Sequence, residues 1–293
     1  MKVAVIGGFG HLGRSVVRAC IDRRTSFFFS YVKPRYNLLS PDETFNLFNE
    51  IEKEGCDTVI NCCAVSGGIT VFDSIPRSEI YGQNIIMGLN ILREASRRPS
   101  IQKVVFPLSS CAYSPSSTQF REEDILCGEV HPSVEAIGAS KRVLFRYAKM
   151  LSKEGDLKVV CPVLSTLYGP SGPYLAPKAK FLNSIAQKLV EAVKSGSKEL
   201  VLFGTGEEIR DVVFEDDAAN MILSVAEYYL DTELPINISG LYTKTIDEWI
   251  TELRTRISEY DPNIWNVQVN FSGDSSGQHK KYLNIDKCRN LGY

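Results

Sequence analysis

Residues 1–20 constrain the fold most. Lys2 to Ile6 is a short apolar run of the kind that makes a buried strand. Gly7, Gly10 and Gly13 follow at three-residue spacing, and Leu12, Val16, Val17 and Cys20 then recur at helical spacing. Strand, glycine turn and helix make the opening of a dinucleotide-binding βαβ unit. The glycines let the backbone turn tightly and approach a pyrophosphate, and the helix start offers that anion unpaired N–H groups and partial positive charge. A glycine triplet alone also marks plain turns; its place after a strand and before a helix makes it a dinucleotide signal.

The alternation continues along the chain. Strands are expected at 27–32, 58–63, 103–108 and 158–163, with helices at 40–54, 77–98 and from about 134 to 151. Ser40-Pro41-Asp42-Glu43 is a capping box with proline at the first helical position. Beyond residue 168 the pattern loosens: helices are expected at 180–195, 217–230 and 245–259, and strands at 200–203, 236–238 and 267–271. The class is α/β, a Rossmann-type doubly wound parallel sheet followed by a smaller mixed α/β part. The expected division is 1–167 for the dinucleotide-binding domain, with return segments near 207–240, and 168–293 for the substrate-binding part. Ligands in such sheets sit beyond the carboxyl ends of the strands, which gathers 7–13, 64–68, 109–113 and 166–170 around one crevice.

An acidic residue ending the second strand would favour NAD. Here that region reads Ser30-Tyr31-Val32-Lys33-Pro34-Arg35. Lys33 and Arg35 suit a 2′-phosphate, so NADP is the first choice, with NAD as the alternative; the competing reading is two solvated surface cations. The formal charge of −2 gives no basic field for nucleic acid. No run is long enough to span a membrane, and the N-terminus enters a strand without a signal-peptide pattern. Eight cysteines without a CxxC pair read as reduced thiols of a cytoplasmic protein, and three histidines argue against a histidine-based metal site.

Further motifs follow in order. They are Cys63-Ala64-Val65-Ser66-Gly67-Gly68-Ile69, Tyr81-Gly82-Gln83-Asn84, Ser109-Ser110-Cys111-Ala112-Tyr113 and Leu167-Tyr168-Gly169-Pro170. Then come Gly204-Thr205-Gly206, Arg210 with Asp216-Asp217, and Ile236-Asn237-Ile238. With the glycine turn, this ordered set resembles the extended short-chain dehydrogenase/reductase family over the whole chain. The 63–69 signature is similar to the fucose-synthase branch, whose members are nucleotide-sugar epimerase/reductases.

The resemblance implies a GDP-linked nucleotide sugar as substrate and a homodimer built on helices 77–98 and 134–151, with Ile85, Leu89 and Leu92 as an apolar face. It implies cofactor contacts at Gly7, Gly10, Leu12, Gly13, Lys33, Arg35, Ala64 and Lys141, and substrate contacts at Ser110 and Arg210. For Arg210 the competing reading is an ion pair with Asp211, Asp216 or Asp217. Family chemistry uses a Ser, a Tyr and a Lys beside the nicotinamide. Ser109 and Lys141 match the first and last, Cys111 matches the epimerising base, and Lys180 stands where the family has an acidic His.

Residue 137, where the Tyr belongs, is Ile and has no proton to give. Three readings result: an epimerase of altered chemistry with Cys111 as base; a non-catalytic descendant serving as a regulatory or assembly subunit; and a reductase whose proton comes from water or Tyr113.

Overall fold

The structure, a computed structural model, describes residues 1–30, 35–67, 74–117, 119–173, 179–273 and 278–292. Its centre is a parallel sheet. The strands are β1 (Val3–Ile6), β2 (Phe27–Ser30), β3 (Thr58–Asn61), β4 (Lys103–Val105) with its continuation β5 (Leu108–Ser109), and β6 (Lys158–Val160) with its continuation β7 (Pro162–Leu164). The order is β2-β1-β3-β4-β6, all parallel, and β7 carries the pairing on to β11 (Ile236–Ile238). Connections leave β1 and β3 in opposite directions across the sheet, so the crevice opens at their carboxyl ends.

Side chains divide by the period of two. Ala4, Ile6, Val59, Val104 and Val159 enter one core; Val3, Val5, Ile60, Val105 and Val160 enter the other. Helices α2 (Pro41–Lys53), α3 (Arg77–Ser96) and α4 (Glu135–Glu154) cover the first face through Leu47, Phe48, Leu92, Leu144 and Phe145. Helices α1 (His11–Asp22) and α6 (Glu215–Tyr228) cover the second through Val16, Ala19, Ile222 and Leu223. Burial on both faces is why these strands read as continuous apolar runs.

The later part has its own core. Helices α5 (Phe181–Ser195) and α7 (Ile246–Ser258) enclose Leu189, Ile250 and Ile264 beside β9 (Glu199–Leu202) and β13 (Gln268–Phe271). β10 (Ile209–Phe214) pairs with β8 (Thr166–Tyr168), β12 (Tyr242–Thr245) and β14 (Lys280–Lys281), tying this part to the crevice.

Several expectations change. The runs at 103–108 and 158–163 each break in two, next to Pro107 and Pro162, because proline has no N–H for the ladder. β10 replaces an expected lead-in to a helix; its Arg210-Asp211 pair hid the strand pattern. Ser40 caps α2 as expected, but the Glu43 carboxylate accepts from the Asn37 N–H, 2.6 Å away, rather than from the cap residue. Leu92 lies in the core and Leu89 packs against it, so the face expected to dimerise covers the sheet. Among the described residues no helix is long and apolar enough to cross a membrane.

Candidate active site

The glycine turn forms a cradle. Gly7 adopts a φ of +84°, and a Cβ there would meet the Cys63 sulfur at 2.5 Å. A Cβ on Gly13 would run into the Gly7 carbonyl. The Gly10 N–H closes the turn on the Gly7 carbonyl at 3.0 Å, and the first helical bond of α1 is Arg14 N–H to Gly10 carbonyl, also 3.0 Å. The N–H groups of His11, Leu12 and Gly13 therefore have no acceptor within the helix. A backbone cradle with free donors at a helix start fits a pyrophosphate. Leu12 packs against the core, so its part in the cradle is played by its backbone.

Beside the cradle, Asn84 grips the exit of β3. Its amide accepts from the Val65 N–H at 2.8 Å and donates to the Val65 carbonyl at 3.0 Å, which leaves Ala64 exposed. Arg35 forms an ion pair with Glu50 on α2. Lys33 lies outside the described residues.

A linkage with no local sequence signal ties the cradle to the loop after β8. His11 Nε2 lies 2.8 Å from Glu215 Oε2, across 204 residues of sequence. The fully buried Glu215 carboxylate also accepts from the Ser171 N–H at 3.1 Å and from Arg18 at 2.6 Å. Gly169, at φ +148°, packs directly on that carboxylate. Burial favours the neutral carboxyl, but the Ser171 and Arg18 hydrogen bonds outweigh it and hold Glu215 below its ordinary pKa. Burial lowers His11.

Ser109 ends β5, and its Oγ accepts from the Cys111 N–H at 3.3 Å. One 3₁₀ turn, Ser110–Ala112, presses against α4 so closely that a Cβ on Gly138 would strike the Cys111 carbonyl. Arg142 Nε fixes the same contact by donating to the Ala112 carbonyl at 2.6 Å. Ser110, expected to touch substrate, is buried in this turn.

Lys141 is buried. Its ammonium donates to the Pro107 carbonyl at 2.8 Å and lies over the Phe106 ring, and burial brings its pKa down to about 8. Ile137, one turn earlier, packs into an apolar cluster with Ile80, Ala136, Val65 and Ile75. Tyr113 is no substitute acid. It is fully buried, stacked on Phe120, and donates to Asn237 Oδ1 at 2.8 Å, while burial pushes its phenol far up. The Ile236-Asn237-Ile238 motif is thus a structural hub, with the Asn237 amide also holding the Phe120 and Asn284 carbonyls.

Cys111 stands apart from the other buried cysteines. Burial pushes Cys20, Cys56 and Cys288 up to about 11 and Cys63 and Cys161 up to about 12. For Cys111 burial acts the same way, but Lys281, Ser109 and Lys180 outweigh it and the thiol is lowered. Lys281 Nζ is 3.4 Å from Cys111 Sγ. Lys180, at the cap of α5, is half-buried, lowered by burial and coupled to Cys111.

Arg210 donates to the Ile209 and His279 carbonyls and also faces Cys111. Among the described residues it makes no ion pair: Asp216 pairs with Arg18, and Asp211 accepts from the Leu283 N–H. Ser109, Cys111, Lys180 and Arg210 therefore converge on one site. Lys281 is an addition that no sequence signal marked, because its partner lies 170 residues away.

The NAD dependent epimerase/dehydratase family matches residues 3–238. A GDP-L-fucose synthase of Sinorhizobium fredii is 27% identical over 294 residues, covering 100% of this chain and 90% of that protein. A GDP-L-fucose synthetase of Naegleria fowleri bound to NADP superposes with a TM-score of 0.86 at 22% identity, covering 99% of this chain and 86% of the other. A GDP-6-OMe-4-keto-L-xylo-heptose reductase of Campylobacter jejuni gives 0.84 at 16% identity, covering 100% and 92%.

Proposed function

Because the chain belongs to the NAD dependent epimerase/dehydratase family, we propose that it binds NADP and a GDP-linked keto sugar and inverts a carbon beside the keto group, with an impaired reduction step. The observation that carries this reading is Cys111, a lowered thiol between Lys281 and Lys180. Gly7, Gly10, Gly13, the first N–H groups of α1, Ala64 and Lys141 would hold the dinucleotide, whose nicotinamide supplies or accepts hydride when bound.

Proton transfer belongs to the chain. The Cys111 thiolate takes the proton from the carbon beside the ketone, and the C–H electron pair moves onto the keto oxygen as an enolate. Lys180, whose ammonium gives up a proton more readily through burial, delivers one to the opposite face. A new C–H bond forms and the ketone returns. The Cys111 thiol then loses its proton to solvent and the Lys180 amine regains one. Arg210 would pair with the diphosphate of the sugar nucleotide. Reduction needs an acid at the keto oxygen, and Ile137 and the buried Tyr113 supply none.

A second reading, a non-catalytic NADP-binding subunit, is favoured by the Lys141 ammonium being turned onto the Pro107 carbonyl. Both readings include a homodimer through the outward apolar residues of α3 and α4, Ile86, Val143 and Met150. Uptake of deuterium by GDP-4-keto-6-deoxymannose in heavy water, without NADPH consumption, distinguishes them.

A further inference from the structure

Lys281 and Arg210 are register partners on the parallel strands β14 and β10, so the two cations stand side by side on one face of that sheet. Both face the thiol of Cys111, which comes from the 3₁₀ turn after β5 of a different sheet. Lys180 approaches from the start of α5, and Lys141 of α4 faces Lys180 in turn. The charges of Lys281 and Arg210 also reach His131, whose Nδ1 lies 2.8 Å from Ser133 Oγ.

Asp211 and Glu208 act on these cations through their charge, and both carboxylates also hold other donors, Asp211 among them the Ser239 hydroxyl. Asp211 accepts from the Leu283 N–H at 2.9 Å, and Glu208 accepts from the Thr205 and Gly206 N–H groups at 3.0 and 3.1 Å. Among the described residues, the sulfur is the group in direct contact with the Lys281 ammonium that can become an anion.

We propose that Lys281 is a positioning residue that keeps Cys111 as a thiolate aimed into the sugar crevice. The proposal deepens the epimerase reading and rests on it for the use to which the thiolate is put. An ammonium 3.4 Å away stabilises the sulfur anion by Coulomb attraction and one charge-assisted hydrogen bond. It also orients the sulfur, since the short turn at Ser110–Ala112 is pinned on its other side by Gly138 and Arg142. The ionised base would then be present before substrate arrives.

The test is the pH profile of iodoacetamide alkylation at Cys111, followed by peptide mass spectrometry in wild type, Lys281→Met and Lys281→Arg. Lys281→Met should slow alkylation at pH 7 by about tenfold or more and move the inflection to higher pH, because a thiol without the cation reverts toward its ordinary range. Lys281→Arg should restore most of the rate. Superimposable profiles for wild type and Lys281→Met overturn the proposal. A profile displaced equally in both variants assigns the effect to packing and also overturns it. Alkylation needs no sugar nucleotide, so the two readings separate. A displaced, Arg-rescued profile in a protein that exchanges no substrate proton keeps the pairing and rejects the epimerase. Superimposable alkylation profiles in a protein that does exchange substrate protons keep the epimerase and reject the pairing.

Discussion

Ile137 and Lys141 stand one turn apart on α4 and have opposite surroundings. The isoleucine closes an apolar cluster with Ile80 and Val65, and the lysine holds the Pro107 carbonyl at 2.8 Å. Residues four apart share a helix face, so a Tyr at 137 would stand beside the ammonium, as the reductase chemistry of the family requires. Positioned acid catalysis is worth roughly 10²–10⁴-fold, about 3–5 kcal/mol of barrier. Wild-type protein should therefore oxidise little NADPH with GDP-4-keto-6-deoxymannose, and Ile137→Tyr should raise the residual rate by about 10²-fold. Absorbance at equal protein concentrations measures both. Fast wild-type turnover would require another proton donor.

Lys141 costs stability. Its fall from the ordinary lysine range to about 8 corresponds to about 3 kcal/mol against the folded state at neutral pH. Both states are protonated below pH 8, so the penalty is then complete. Between pH 8 and the ordinary lysine value only the unfolded chain keeps the proton, so this penalty fades as pH rises. Lys141→Met should melt several degrees above wild type at pH 7, and the gap should narrow by pH 9.5. A gap that is absent, or that widens with pH, would contradict the burial argument.

Gly10 isolates charge from shape. Its φ of −73° is ordinary, and a Cβ there meets only the Gly7 carbonyl, at 3.4 Å. Gly10→Asp should therefore fold while placing a carboxylate beside the pyrophosphate. Calorimetry should give wild-type binding of NADPH and at least tenfold weaker binding by the variant at an unchanged melting temperature. Equal affinities would place the dinucleotide elsewhere.

Ile86, Val143 and Met150 are exposed aliphatic residues of the packed pair α3 and α4, with Tyr81 of α3 exposed as well. Sedimentation should show a dimer at tens of micromolar and a monomer for Val143→Glu. A wild-type monomer would remove the dimer.

Much of this architecture is legible because doubly covered parallel strands are apolar throughout. The glycine turn also falls between two elements with clear periods. Ser109 and Cys111 could be placed together because one ends a strand and the other lies in the turn that follows. What stayed hidden depends on pairings distant in sequence. Nothing near Lys281 announces Cys111, and nothing near His11 announces Glu215. Tyr113 looked available because it follows Cys111 by two residues, but the intervening 3₁₀ turn sends its ring into the core. The periodicity of Ile85, Leu89 and Leu92 marks an apolar face without saying whether a sheet or a partner covers it.

On the epimerase reading this chain moves protons without completing reduction. The most direct measurement incubates GDP-4-keto-6-deoxymannose with the protein and NADPH in heavy water, following substrate mass and NADPH absorbance in the same sample. The expected result is deuterium gain at the carbon beside the ketone with flat absorbance, and loss of that gain in Cys111→Ser. No gain above the protein-free control, or gain accompanied by rapid NADPH loss, would contradict it.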